Sequence, residues 1–323
     1  MEKEILKLIE KYDSIIIGRH KNPDFDAYGS QFGLYYALRE YYPSKKIYVV
    51  GDSNPLNKFR DLDIVDEETY KESLLFILDT VASQMLDSNI YKNYKELVFI
   101  DHHRNDPDIE YDIAYQIKDA SSCSEIVASL LLEWKIPINK DSAKALYLGI
   151  IGDTGRFMYD STTEKTFYIA SKLMATGIEI AKIHNSIYLE PKRNKEIKNI
   201  FFNNVKYTKN NVAYSKNNLE FLTKNDLSTN YVSRGLVNQM AGMAEVKIWA
   251  NFTYDTVSEK VICEFRSRDI PVLNVAKKYG GGGHLNACGC TVDNWEVTNE
   301  VINDLDNLME EKKWKQKQKQ ITY

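Results

Sequence analysis

Short apolar runs alternate with longer amphipathic stretches through the first half of the chain. Ile15–Ile17, Ile47–Val50, Leu74–Leu78 and Leu97–Ile100 are bounded by polar turn residues, and Asp112 to Lys118 is a candidate fifth run. Such runs read as strands buried on both faces, the pattern of a parallel sheet. Between and after them come helical stretches. One covers Ala27 to Tyr41. Ser122 or Ser124 caps a second through Trp134, and Asp141 a third through Ile151. Gly152 to Phe157 reads as a turn, followed by helices over Thr163–Thr176 and Glu179–Leu189. The expected architecture for residues 1–189 is α/β with a doubly wound parallel sheet.

The pattern then changes. Residues 190–204 read as a helical linker after Pro191. From Val205 the strand-like pieces are short and alternating: Val212–Tyr214, Leu219–Leu222, Glu245–Tyr254 and Lys260–Phe265. They predict a smaller α/β domain over residues 205–323 with an antiparallel or mixed sheet. A helix over Pro271–Tyr279 ends in four glycines, and a last helix covers Trp295–Lys317. A loop with Pro55 separates the second and third runs.

Composition narrows the class of protein. The chain has 323 residues, 43% hydrophobic and 27% charged, enough for two ordinary globular cores. No apolar stretch approaches the roughly 20 residues that cross a bilayer. The start, Met1 to Ile9, is a charged amphipathic helix rather than a secretion signal. Four scattered cysteines are too few for a disulfide framework, so a reducing cytoplasm is expected. A net charge of -4 argues against a long nucleic-acid or duplex footprint. The one basic run, Lys312 to Lys319, reads as the solvated end of the last helix.

The candidate chemistry sits where the apolar runs stop. His20, Asp24 and Asp26 follow the first; Asp79 follows the third; Asp101, His102 and His103 follow the fourth; Asp153 lies in the glycine turn. Ligands of open α/β sheets bind at the carboxyl ends of the strands. Carboxylates crowded there repel one another unless a cation lies between them. Carboxylate and imidazole without thiolate suit Mn²⁺, Mg²⁺, Fe²⁺ or Co²⁺. Four clusters exceed the needs of one ion; two ions about 4 Å apart would use them all.

These residues resemble a known superfamily. His20-x-x-x-Asp24-x-Asp26, Asp79, Asp101-His102-His103 and Gly152-Asp153-Thr154-Gly155 are similar to the four motifs of the DHH phosphoesterases, over about residues 10 to 190. Phe265-Arg266-Ser267, Gly280 to His284 and Ala287-Cys288-Gly289 resemble the DHHA1 domain, which accompanies DHH in the RecJ and nanoRNase groups. The likeness is to the oligoribonuclease and pAp-phosphatase (NrnA-type) branch. Cys263 and Glu264 depart from its usual pattern before the arginine.

The resemblance implies one metal on His20, Asp24 and Asp79, and a second on Asp26, Asp79, His102 and Asp153, with Mn²⁺ first and Mg²⁺ or Co²⁺ as substitutes. Asp101 would orient His102. His103 would face the substrate phosphate, and water activated by the metals would attack phosphorus in line. Arg266, Ser267, Gly281, Gly282, Gly283 and His284 would hold the other end of the substrate, with the active site in a cleft between the domains. Arg104 and Arg156 are candidate phosphate contacts, Arg234 a lesser one, and Tyr28 a candidate lining of a base pocket. His284, Cys288 and Cys290 have zinc-like spacing without a fourth ligand.

The implied activity is hydrolysis of short oligoribonucleotides and dinucleotides such as pApA to 5′-monophosphates, with pAp phosphatase action. A cyclic-di-AMP or pApA phosphodiesterase for second-messenger turnover is the alternative. A catalytically silent nucleotide sensor is the alternative of another class. No membrane partner is expected, and a homodimer stays open.

Overall fold

The computed structural model describes residues 1–52, 59–86 and 94–321, and side chains of the last helix as far as residue 310. The loop at Pro55 and the side chains of Lys312 to Lys319 lie outside the described residues. The chain divides into two compact units, Met1–Leu189 and Glu190–Tyr323.

The first unit has strands β1 (Ser14–Arg19), β2 (Lys46–Val49), β3 (Leu74–Leu78), β4 (Glu96–Asp101) and β5 (Ile113–Gln116). Its helices are α1 (Glu2–Lys11), α2 (Phe25–Tyr41), α3 (Glu67–Glu72), α4 (Cys123–Glu133), α5 (Lys140–Asp153), α6 (Glu164–Met174) and α7 (Ile180–Tyr188). All five strands are parallel, in the order β2-β1-β3-β4-β5. The unbroken apolar runs follow from burial on both sides. Ile15, Ile17, Phe76, Leu78, Val98 and Ile100 pack in the core that includes α2, α4 and α5. Ile16, Leu75, Ile77, Leu97 and Phe99 pack on the opposite side with Tyr70 of α3.

Strand order reverses between β1 and β3, because the chain moves outward from β1 to β2 and then returns to the other side of β1. This is a topological switch point, where the βα loops diverge and leave a crevice at the strand ends. Two pairs of glycine contacts close the helices over it. A Cβ on Gly29 of α2 would lie 2.7 Å from the Ala145 carbonyl oxygen and the Gly149 nitrogen of α5. A Cβ on Gly149 would lie 2.0 Å from Ser124 Oγ and 2.8 Å from Asp26 Oδ1. Only glycine permits that approach, which carries the C-terminal end of α5 to the strand ends.

The second unit has α8 (Lys192–Asn203), β6 (Lys206–Tyr207), β7 (Ala213–Asn217), α9 (Leu219–Asn225), β8 (Ile248–Tyr254), β9 (Val261–Ser267), α10 (Leu273–Lys278), β10 (Gly282–His284), β11 (Ala287–Val292) and α11 (Trp295–Ile321). Its sheet runs β10-β11-β9-β8-β7-β6 and is mixed: only β7 and β8 pair in parallel. α10 and α11 cover one face and α8 and α9 the other.

Several local expectations are corrected. Leu219–Leu222 is not a strand but the start of α9, because Asn218 Oδ1 accepts the Phe221 N–H at 2.9 Å and caps a helix there. Asn139 rather than Asp141 caps α5, accepting the Ser142 N–H at 2.8 Å. Gly152 and Asp153 lie in the last turn of α5, not in a free turn. α2 begins at Phe25 rather than Ala27. Tyr28 is fully buried under the Arg19 guanidinium, 4.6 Å from its ring centre, and lines no open pocket.

Candidate active site

The strand ends of the first unit bring the predicted acidic and imidazole residues together. His20 follows β1, Asp79 follows β3, Asp101 ends β4, and His102 and His103 follow it. Asp26 lies in the first turn of α2 and Asp153 in the last turn of α5. Three groups of donor atoms each lie within 4.8 Å of one another: His20, Asp24 and Asp79; Asp26, His102 and Asp153; and Asp79, His102 and His103.

Asp79 is the hub. Its Oδ2 lies 3.5 Å from His20 Nε2, and its Oδ1 lies 3.4 Å from His102 Nε2 and 3.7 Å from His103 Nδ1. Its backbone takes a φ of 64°, in the left-handed region that aspartate tolerates better than most residues. The Asp79 N–H donates to the Ile100 carbonyl at 3.0 Å, so β4 helps hold that conformation. Oδ1 is buried and accepts no hydrogen bond. A buried carboxylate oxygen left without a donor is costly unless a cation meets it. That orphaned oxygen, among oxygen and imidazole donors only, fits a hard divalent cation.

The surroundings orient each donor. His20 Nδ1–H donates to the Lys21 carbonyl at 2.6 Å, which turns Nε2 toward the carboxylates. Asp24 Oδ1 caps α2, accepting from the N–H groups of Asp26 and Ala27 at 2.9 and 3.0 Å. Asp26 accepts from the Cys123 N–H at 2.6 Å and the Ser124 N–H at 2.9 Å, at the N-terminus of α4. That helix end supplies positive potential to a fully buried carboxylate.

Asp101 holds a different histidine from the one expected. It does not bind His102; its Oδ1 accepts His103 Nδ1–H at 2.8 Å and its Oδ2 accepts the His103 backbone N–H at 3.0 Å. The two-residue spacing bends the chain back so that the carboxylate meets the second histidine. Gln116, which the sequence did not single out, braces this corner. Its amide donates to Asp101 Oδ2 at 3.3 Å and to the carbonyls of His103 and Asn105 at 2.7 and 2.8 Å. Its position at the end of β5, beside Asp101 in the sheet register, was the available signal.

Crowding shows in the titration of the cluster. Burial disfavours the charged His20 ring, but Asp24 and Asp79 outweigh it and push the pKa up to about 10. His102 behaves alike, pushed to about 10 by Asp79, Asp26 and Asp153 against burial. Burial, then Asp79 and Asp24, raise Asp153 to about 7. Burial, then Asp79 and Asp153, raise Asp26 well above the usual carboxylate range. Asp101 raises His103. Without a cation the cluster therefore binds protons in its place.

The second unit presents a groove of about 630 Å³, lined by Arg234, Glu264, Arg266 and the Gly280–Gly283 backbone among others. Cross-strand partners share a face of a sheet. His284 pairs with Ala287 and Ala287 with Arg266, so His284 and Arg266 share one face. Cys288 and Cys290 turn to the other face, into the core. The register thus separates His284 from the cysteines and removes the zinc-like spacing. Gly281 and Gly289 let strands approach closely: a Cβ on Gly281 would lie 2.1 Å from the Gly289 carbonyl oxygen.

Glu264, noted in the sequence only as a departure, lies between two cations. It accepts from Arg266 Nη1 at 3.1 Å and Arg234 Nε at 3.3 Å. Ser267 Oγ donates to the Ile270 carbonyl. Arg104 is exposed, 3.9 Å from Asp119, and Arg156 lies over the Tyr188 ring at 4.5 Å. His184 packs against Tyr147 and Tyr188.

Comparison with known proteins agrees with both regions. The DHH family N-terminal domain matches residues 14–150 and the DHHA1 domain matches residues 211–311. The chain is 35% identical to the bifunctional oligoribonuclease and PAP phosphatase NrnA of Bacillus subtilis, over 96% of this chain and 99% of that protein. It is 33% identical to the probable counterpart of Streptococcus mutans, over 95% and 98%. An exopolyphosphatase-related protein from Bacteroides fragilis superposes with a TM-score of 0.82 at 25% identity, over 96% of this chain and 97% of that one. Among the described residues no helix is long and apolar enough to cross a membrane. The chain belongs to the DHH–DHHA1 phosphoesterase family and is a phosphoester hydrolase.

Proposed function

We propose that the protein hydrolyses short oligoribonucleotides and dinucleotides such as pApA to 5′-monophosphates, and pAp to AMP and phosphate. The observation that carries the reading is the convergence of two histidine–carboxylate groups on Asp79, whose buried Oδ1 accepts no hydrogen bond. The names of the Bacillus and Streptococcus relatives support the substrate class. His20, Asp24 and Asp79 would hold one divalent ion, and Asp26, Asp79, His102 and Asp153 a second, with Mn²⁺ first in preference. Such a pair supplies Lewis-acid charge to the phosphate and makes water nucleophilic at neutral pH.

The side chains divide the remaining work. Asp101 fixes the His103 ring through Nδ1 and leaves Nε2 free. The Asp101 carboxylate on Nδ1 raises the ring's pKa and favours its charged form, which suits stabilising a phosphoryl oxygen or giving a proton to the leaving oxygen. Arg266, His284 and the backbone of Gly281, Gly282 and Gly283 would hold the far end of the substrate, where a local anion anchor needs no basic track. Ser267 would contribute its backbone turn, since its hydroxyl is already engaged. Arg104, exposed beside His103, is a reserve phosphate contact.

A time course with Mn²⁺ over pApA, labelled short and long RNAs, pAp, cyclic-di-AMP and pyrophosphate tests this reading. AMP released fastest from pApA and the short RNA, with pAp cleavage beside it, is the expected result. Preferred cleavage of cyclic-di-AMP would move the function to second-messenger turnover. Nucleotide binding without any hydrolysis would overturn the reading.

A further inference from the structure

The second unit carries another pocket, about 680 Å³, within the range of small-molecule sites. It lies at the β6–β7 edge of the sheet, away from the β9–β11 strands that line the Arg266 groove. Lys206 pairs with Tyr214, Tyr214 with Ala250, and Ala250 with Phe265. Lys216 pairs with Phe252, and Phe252 with Cys263. Lys206, Tyr214 and Lys216 therefore share the face of Cys263 and Phe265, while Glu264 and Arg266 alternate to the other. Trp295 and Asn299 of α11 close one wall, and Asn203, Asn204 and Phe221 contribute another.

The chain is acidic overall, yet none of the ten lining residues is acidic. Lys216 is half-buried and donates to Asn299 Oδ1 at 2.8 Å, a neutral partner. Burial, then repulsion from Lys206, lowers its pKa, outweighing Cys263 and Glu296, which act the other way. Two cations near enough to repel each other leave charge for an anion to neutralise. Three aromatic rings offer surfaces on which a planar base stacks, and four asparagine amides offer donors and acceptors for its edges.

We infer that this pocket is a second nucleotide site, which takes a nucleoside monophosphate with its phosphate on Lys206 and Lys216 and its base among Tyr214, Phe221 and Trp295. The site stands apart from the hydrolytic reading and does not depend on it.

The test uses AMP as probe, in EDTA, on the whole chain with Arg266→Ala, so that the Arg266 groove is weakened. AMP binding by calorimetry should persist. Adding Lys206→Ala and Lys216→Gln should weaken it at least tenfold, and Lys206→Ala alone, at an exposed position, should weaken it severalfold. Adenosine and inorganic phosphate should each bind more weakly than AMP. Hydrolysis by the lysine variants in the otherwise natural chain should be unchanged, which separates this site from the catalytic one. Loss of all AMP binding in Arg266→Ala, unchanged affinity after both lysine substitutions, or phosphate binding as tightly as AMP would each overturn the inference.

Discussion

The strand-end cluster of the first unit and the Arg266 groove of the second are both suited to phosphate, by opposite means. The cluster gathers negative groups, with Asp26 and Asp79 almost wholly buried. It would trap an anion only with divalent cations bound. The groove uses fixed positive groups, Arg234 and Arg266, with glycine backbone, and tempers them with Glu264. The difference teaches that one site depends on cation and pH, and the other on geometry and a carboxylate counter-ion.

The sharpest way to break the comparison is Asp79→Asn. Asparagine tolerates the left-handed backbone, so the fold should persist. Turnover of pApA should fall by at least roughly a thousandfold, as for loss of a central electrostatic group. Near wild-type turnover would remove Asp79 as the hub.

Metal and pH come next. Mn²⁺ at about 100 times its Kd should stabilise EDTA-treated protein by about 2.7 kcal/mol, read as a rise in melting temperature. The sign of the pH effect follows from the raised values. Neighbouring carboxylates push His20 and His102 up to about 10 and burial pushes Asp153 up to about 7, so the metal-free cluster favours bound protons toward low pH. Mn²⁺ must displace them, so binding should tighten from pH 6 to pH 8 and release protons, measurable by calorimetry in buffers of different ionisation enthalpy. Binding that weakens with pH would contradict the cluster.

Arg266→Ala should act on the other side of the comparison. KM for pApA should rise roughly 10- to 100-fold, the size of a charge-assisted hydrogen bond, with a smaller change in kcat. The gentlest test is Glu264→Gln. It removes the carboxylate between Arg234 and Arg266 and should lower KM by about threefold, as expected for a partly exposed ion pair.

Much of this was legible before the structure. The apolar runs reported buried parallel strands because burial on both faces removes the alternation that one-sided sheets show. Polar residues of metal-ligand type at the ends of those runs located the cluster. What misled were short segments. Leu219–Leu222 has the composition of a strand, but the cap at Asn218 decides for helix. Asp141 and Asn139 are equally good caps by type, and only the backbone path chose. Tyr28 faced the core because the Arg19 side chain stacks on it.

The sequence by itself determined the two-part division, the parallel first sheet and the set of cluster residues, since periodicity and residue type are properties of the chain. Tertiary structure decided which groups meet. Asp101 turns to His103 instead of His102, a choice made by a local bend that no motif encodes. The pairing register of β9, β10 and β11 puts His284 with Arg266 and away from Cys288 and Cys290. Register also sets Lys206 and Lys216 on the far face from Arg266. A shift of one residue reverses every side chain of a strand, so such placements exist only once the strands have paired.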